Sequence, residues 1–319
     1  MADKSAIEWT DATWNPIRAR NKKTGKVGWH CEHATTGCEF CYAEGFNKRL
    51  GTGLAFKPGH RKDIEIFLDE AMLTQPLRWK KPRKIFPFSM TDLFADFVQV
   101  EWLDKIFAVM ALTPHHDYQV VTKRAKRMRD YFNVAPAEAM HTRWLLAARS
   151  AFDAPAGAVI NGEWPLPNVW LGVSAERQEE ADERIPLLLQ TPAAIRFISA
   201  EPLLGPIHFA PAWLPRLGHR LNPSPLHWVI DGGESGPSAR PSNPQWYRHI
   251  RNQCEAASVP YFHKQNGEWV SVSEVEGAGQ HFSFDDGRTV RRVGKKVAGR
   301  LLDGVEHNGF PTRENFSGI

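Results

Sequence analysis

A chain of 319 residues with 42% hydrophobic and 24% charged side chains can bury a large core and reads as a soluble, globular protein. Forty lysines and arginines against 36 aspartates and glutamates leave a net charge of +4, which excludes an argument for nucleic acid from bulk charge alone. No apolar run approaches the roughly 18 residues that cross a bilayer, and the opening "MADKSAI" (1–7) lacks the apolar stretch of a secretory signal.

In chain order, "AIEWT" (6–10) is the first expected strand. A basic insertion, "IRARNKKTGKVGWH" (17–30), follows; it reads as a solvated loop, with a lid or a nucleic-acid contact as the sharper alternatives. After the cysteine-rich stretch "CEHATTGCEFCYAE" (31–44), the segment 63–79 places Ile64, Phe67, Leu68 and Ala71 at helical spacing and predicts a helix. "KIFPFSMTDLF" (84–94) is the second strand, which Pro87 demotes toward an edge or an irregular strand. A helix over 100–112 carries Trp102, Leu103, Ile106, Phe107 and Met110 on one stripe. Strands at "YQVVTKR" (118–124) and "NVWLGVSAE" (168–176) precede a helix over 176–190. "AIRFISAEPLLG" (194–205), a Pro-rich loop over 205–226, "HWVIDGGESG" (227–236), a helix over 243–257 and "VPYFHKQNG" (259–267) complete the series. Short strands rich in Val, Ile, Phe and Trp alternating with helices imply βαβ units and a parallel sheet. The expected fold is therefore α/β, a full or partial parallel β/α barrel over 1–270, with a small β-rich C-terminal appendage over 271–319.

In such barrels chemistry collects where strands end in loops. Those ends hold Ser89, Thr91 and Asp92; Thr122, Lys123 and Arg124; Ser174 and Glu176; Ser199 and Glu201; Asp231, Gly232, Gly233, Glu234 and Ser235; and His263, Lys264 and Gln265. Singly, Ser174 or Ser199 is explained as a cap or turn residue, and "GGESG" as a tight turn. Together they suggest a polar pocket for a zwitterionic or ribose-bearing ligand. Lys123, Arg124, Lys126, Arg127 and Arg129 form a basic run, read as a solvated helix face against the alternative of a phosphate-binding edge. Twelve tryptophans, among them Trp9, Trp14, Trp29 and Trp164, read as packing residues, with base stacking as the alternative.

Cys31, Cys38 and Cys41 are three of the four cysteines, spaced by six and then two residues. Their clustering speaks against a disulfide scaffold and for a metal site in a reducing compartment, hence the cytoplasm. Two fillings of the fourth coordination place stay open. His33 would complete a Cys3His zinc site, with His30 or Cys254 as substitutes. Alternatively, a 4Fe–4S cluster held by three cysteines leaves one iron open to a small molecule. A second Cys-rich turn, which a zinc knuckle usually brings, does not occur in the sequence.

The loop, with Phe40 just before Cys41, resembles that of radical S-adenosylmethionine enzymes, although their usual spacing is three and then two. "IEWTDATWNP", "CYAE", "SMTDLF", "VTKR", "WLGVS", "SAEPLLGPI", "GGESGP" and "FHKQNGEW" together resemble the phage gene product 37/gene product 68 family, a radical-SAM-like group of unestablished reaction. Loop and strand order are distantly similar to spore photoproduct lyase. The resemblance implies that Cys31, Cys38 and Cys41 bind a 4Fe–4S cluster and that S-adenosylmethionine completes it. A 5′-deoxyadenosyl radical would follow, driven by an external electron donor. Ser89, Thr91, Asp92, Ser174, Glu176, Gly232 and Gly233 would bind the cofactor; Glu201, Glu234 and Lys264 would face the substrate. A phage setting, with the host cytoplasm as location, points to a nucleic-acid base or nucleotide. The contrasting expectation is a non-enzymatic, zinc-stapled nucleic-acid-binding protein.

Overall fold

Sixteen residues in three short runs, twelve of them apolar with Gly172 included, build the buried middle of a sheet: "VWLGVS", "IRFISA" and "WVID" are buried at every position. Strands covered on both faces carry such continuous runs because no side of them meets water. The computed structural model describes residues 5–152, 164–215 and 225–312. Residues 1–4 of the opening stretch, 216–224 of the Pro-rich loop and 313–319 of the appendage lie outside the described residues.

In chain order the strands are β1 (Ala12–Trp14), β2 (Ile17–Asn21), β3 (Val27–Gly28), β4 (Ile64–Leu68), β5 (Lys84–Pro87), β6 (Asp117–Thr122), β7 (Val169–Ser174), β8 (Ile195–Ala200), β9 (Trp228–Asp231), β10 (Tyr261–His263), β11 (Trp269–Ser271), β12 (His281–Ser283) and β13 (Thr289–Arg292). The helices are α1 (Tyr42–Leu50), α2 (Glu70–Leu73), α3 (Val100–Leu112), α4 (Ala125–Phe132), α5 (Ala137–Phe152), α6 (Gln178–Leu189), α7 (Pro244–Ala256) and α8 (Lys295–Ala298). The main sheet is seven-stranded and parallel, in the order β1-β5-β6-β7-β8-β9-β10, a partial barrel of the expected α/β class. Antiparallel sheets β3-β2-β4 and β11-β13-β12 accompany it, the latter forming the expected β-rich C-terminal part. The chain divides into two compact units, Met1–Leu171 with Thr191–Ala194, and Gly172–Gln190 with Ile195–Ile319.

Four local expectations need correction. The first strand is Ala12–Trp14, not 6–10: Thr10 N bonds back to Ile7 O, so "IEWT" closes a turn with Trp9 buried. Pro87 does not mark an edge, because β5 lies between β1 and β6. Its register with β6 uses only Lys84 and Ile85, so the missing proline N–H falls beyond the paired residues. The helix predicted over 63–79 is instead strand β4, then α2 capped by the Asp69 carboxylate, then a 3-10 turn at Gln75–Arg78. Ile64 and Ile66 give that run a two-residue period as well as a helical one, and pairing with β2 decides between them. That partner strand lies in the basic insertion, which is thus a β-hairpin rather than a loop.

Trp9, Trp14 and Trp29 are buried and act in packing; Trp14 donates its indole N–H to Met72 O at 2.7 Å. Around α3 the rings of Phe107, Tyr131 and Trp144 stack at 5.4 and 5.5 Å, and Phe132 meets Phe107 edge-on.

Candidate metal centre and strand-end residues

Each unit gathers its own polar cluster. In the first, the hairpin β2–β3 delivers the chain through Trp29 to Cys31. Cys38 ends a 3-10 turn, Thr36–Cys38, and Cys41 is the N-cap residue of α1, with Cys41 N bonded to Cys38 O at 3.3 Å. The two-residue spacing thus folds as one tight turn into a helix. Cys31 and Cys41 pack against Trp29, Ala43, Phe56 and Met90, an apolar wall. Burial pushes the Cys31 thiol up to about 12, the Asp92 charge and the Cys41 and Cys38 sulfurs add to it, and Arg124 opposes them. Burial also raises Cys41, against the Glu44 and Ala43 backbone N–H groups at the start of α1.

Cys31 is held from both sides. Thr91 Oγ1 donates to His30 O at 2.9 Å and Arg124 donates to Glu32 O at 2.9 Å, so the carbonyls flanking Cys31 are fixed by loops that follow β5 and β6. Asp92 organises this brace. Its carboxylate accepts from Phe94 N (2.9 Å), Thr122 Oγ1 (2.6 Å), Lys123 N (3.0 Å) and Arg124 (3.0 Å). Ser89 Oγ accepts from the Asn15 amide at 3.0 Å, and Ser89 O from the Tyr42 hydroxyl at 2.8 Å. Of the three residues expected to receive cofactor, Ser89, Thr91 and Asp92, all therefore have protein partners, and Asp92 is a positioning residue.

The histidines of the loop have carboxylate partners. His33 lies 2.7 Å from Glu44, which also takes Lys48 at 2.5 Å and Phe56 N at 3.0 Å. His30 lies 3.3 Å from Glu32, whose carboxylate Arg61 binds in bidentate fashion through Nε and Nη2 and holds below its usual range. Cys254 sits fully buried on α7, in the second unit. Among the described residues, no three His, Cys, Asp or Glu side chains stand ready as a metal-ion group.

In the second unit the strand-end residues sort by partner. Glu176, fully buried, faces Arg184 at 3.4 Å, and Arg184 donates to Ser174 O at 2.7 Å. Glu234 is gripped by the Arg240 guanidinium at 2.6 and 2.8 Å and by Arg240 N at 2.8 Å. A Cβ on Gly233 would stand 2.2 Å from Asn266 O, so this glycine permits close packing of two loops. Glu201 and Lys264 form the accessible set: Lys264 Nζ lies 2.8 Å from Glu201 Oε1, Ser199 Oγ donates to Glu201 Oε2 at 3.1 Å, and Gly232 lies against the same carboxylate. The Lys264 and Glu201 side chains are 20% and 12% exposed, where Glu234 is 5% and Glu176 is closed off.

Sequence reasoning did not single out the buried pair Asp231 and His263, 2.7 Å apart, with Tyr261 donating to Asp231 at 2.8 Å. Burial raises the Asp231 carboxyl, while His263 and Tyr261 work to lower it. The signal was the pairing of β9 with β10, which sets His263 opposite Asp231.

Fold and sites together define an α/β partial-barrel protein with a braced three-cysteine loop. The chain belongs to the DUF5131 family, described as "Protein of unknown function", which matches it over residues 4–311. No curated protein and no solved structure matches it. Among the described residues, no helix is long and apolar enough to cross a membrane.

Proposed function

We propose that this protein is an iron–sulfur, radical-SAM-like enzyme that acts on a nucleic-acid base or nucleotide, as the resemblance to the gene product 37/gene product 68 family implies. The observation that supports the reading is the loop itself: Cys38 and Cys41 joined by one tight turn, the backbone beside Cys31 fixed by Thr91 and Arg124, and His30 and His33 turned to Glu32 and Glu44. Burial and the neighbouring sulfurs raise Cys31 and Cys41, and a metal group, once bound, would favour their thiolates. Cys31, Cys38 and Cys41 would hold the cluster. When bound, such a cluster together with S-adenosylmethionine would supply one-electron reductive cleavage of the sulfonium, the electron coming from an external donor.

The chain's own residues position and shield. Thr91 and Arg124 fix the backbone on either side of Cys31, and Trp29, Phe56 and Met90 exclude water from one side of the thiols. Arg124 and Lys123 place positive charge near Cys31 and Cys41. In the second unit, Lys264 Nζ and Glu201 Oε1 form an ion pair at 2.8 Å, and the resemblance would have these two residues face the substrate. Glu234 and Glu176 act there by fixing backbone through Arg240 and Arg184.

The Cys3His zinc alternative requires His33 to leave Glu44. Anaerobic reconstitution with iron and sulfide separates the two. Cys31→Ala, Cys38→Ala and Cys41→Ala should each lose the cluster absorbance, while His33→Ala keeps it. Zinc retained in the parent and lost in His33→Ala would overturn the proposal.

A further inference from the structure

Residues 17–62 hold ten lysines and arginines against three glutamates, a net +7 in a chain whose total is +4, so the remainder of the chain is net acidic. The positive charge is concentrated around the cysteine loop. Three elements bring it together. The hairpin docks on α1 through Asn47, which accepts from Trp29 N at 3.0 Å, and through Asn21, which donates to Thr52 O at 2.9 Å. The turn Pro58–Asp63 joins the hairpin where Lys22 N meets Asp63 O at 3.0 Å, and joins the cysteine loop through Arg61 and Glu32.

Two of the three glutamates, Glu32 and Glu44, are already neutralised by Arg61 and Lys48. Lys22, Lys23, Lys26, Arg49, Lys57 and Lys62 are exposed and form no ion pair among the described residues. Lys22 Nζ rests on the Lys62 carbonyl at 3.0 Å, which fixes its place and leaves its charge. In the other basic run Arg124 pairs with Asp92, Arg127 donates to the Ala95 and Val98 carbonyls, and Lys126 and Arg129 share Asp130 at the surface.

Exposed rings stand beside this charge. Tyr42 is 57% exposed, and its hydroxyl is fastened to Ser89 O. Phe40 and Phe46, on the same turn and helix, are also exposed. Cations that track phosphates, interleaved with rings on which unpaired bases stack, are the chemistry of single-strand binding.

We infer that the hairpin, α1 and the Pro58–Asp63 turn form a binding face for single-stranded nucleic acid at the rim of the cysteine loop. As a route by which a base reaches that loop it rests on the proposed function; the binding itself does not.

The test uses the full chain, without reductant or S-adenosylmethionine, and a fluorescein-labelled oligothymidylate of about 16 nucleotides, followed by anisotropy across a salt series. Each phosphate contact on a single strand contributes about 0.7 to the slope of log K against log salt, so the Lys22→Ala/Lys23→Ala/Lys26→Ala variant should flatten it by about 2. Tyr42→Leu should weaken binding about tenfold and leave the slope unchanged. No binding at low salt, an unaltered slope in the triple variant, or equal binding of a duplex or of anionic vesicles would overturn the inference. Iron is measured on the same preparation. Iron-loaded protein that fails to bind sinks the surface alone, and binding by protein that never takes up iron sinks the enzyme reading alone.

Discussion

Asp92 gathers four donors from two loops, and through Arg124 it sets the backbone beside Cys31. Asp92→Ala leaves the Arg124 guanidinium, only 18% exposed, without its counter-charge. Breaking such a pair costs about 3 kcal/mol, so the urea midpoint of the variant should fall clearly; a variant as stable as the parent would contradict the brace. His227 makes a second residue-scale prediction. Its Nδ1 accepts from Arg196 N at 2.9 Å, and burial, aided by Arg196, lowers it to about 4 from an ordinary value of 6.5. The unfolded chain therefore takes up this proton at a pH where the folded chain refuses it. Stability is complete above about pH 6.5 and falls as the pH drops toward 4, by on the order of 3 kcal/mol from this group. Urea titrations at several pH values should show that slope in the parent and lose it in His227→Gln; the same slope in both would remove His227 from the account. At this scale the three cysteines stand out in the sequence by their spacing. The brace does not, because Thr91 and Arg124 reach His30 and Glu32 across 61 and 92 positions of chain.

Among the elements, the hairpin carries the most consequence. Gly28 lies where a Cβ would stand 2.5 Å from the Gly51 Cα and 2.4 Å from the Asn47 amide oxygen. Gly28→Ala should lift the hairpin from α1, cost about 2 kcal/mol, and speed amide exchange over 22–27; unchanged protection there would show that the contact yields without loss. Elements with one strong period were legible: α3, α6, α7 and the strands β7 to β10 fall inside the stretches that predicted them, and β6 begins one residue before its stretch. Segment 63–79 was not, since its apolar residues satisfy helical spacing and strand alternation alike, and the partner that settles the matter is a strand more than forty residues earlier. The basic insertion was misread as a loop for a related reason. Its strand β2 alternates Ile17, Ala19 and Asn21 inward, but five cations mask the pattern.

Over the whole molecule, strand order follows chain order in the main sheet once the inserted hairpin sheet is set aside, which is why the alternation of strands and helices foretold the α/β class. Net charge was less informative than its distribution, since +4 overall conceals +7 around one loop. The polar strand ends were legible as a group but not by role: Glu176 and Glu234 are held by arginines, and Glu201 with Lys264 remains accessible. The central claim is that Cys31, Cys38 and Cys41 hold an iron–sulfur cluster whose open iron takes S-adenosylmethionine. Its most direct test is anaerobic purification with iron, sulfide and zinc analysis, then reduction and electron paramagnetic resonance with and without S-adenosylmethionine. The account predicts about four irons and four sulfides per chain and a cluster signal that changes when S-adenosylmethionine is added; one zinc per chain, no sulfide and no response to S-adenosylmethionine would contradict it.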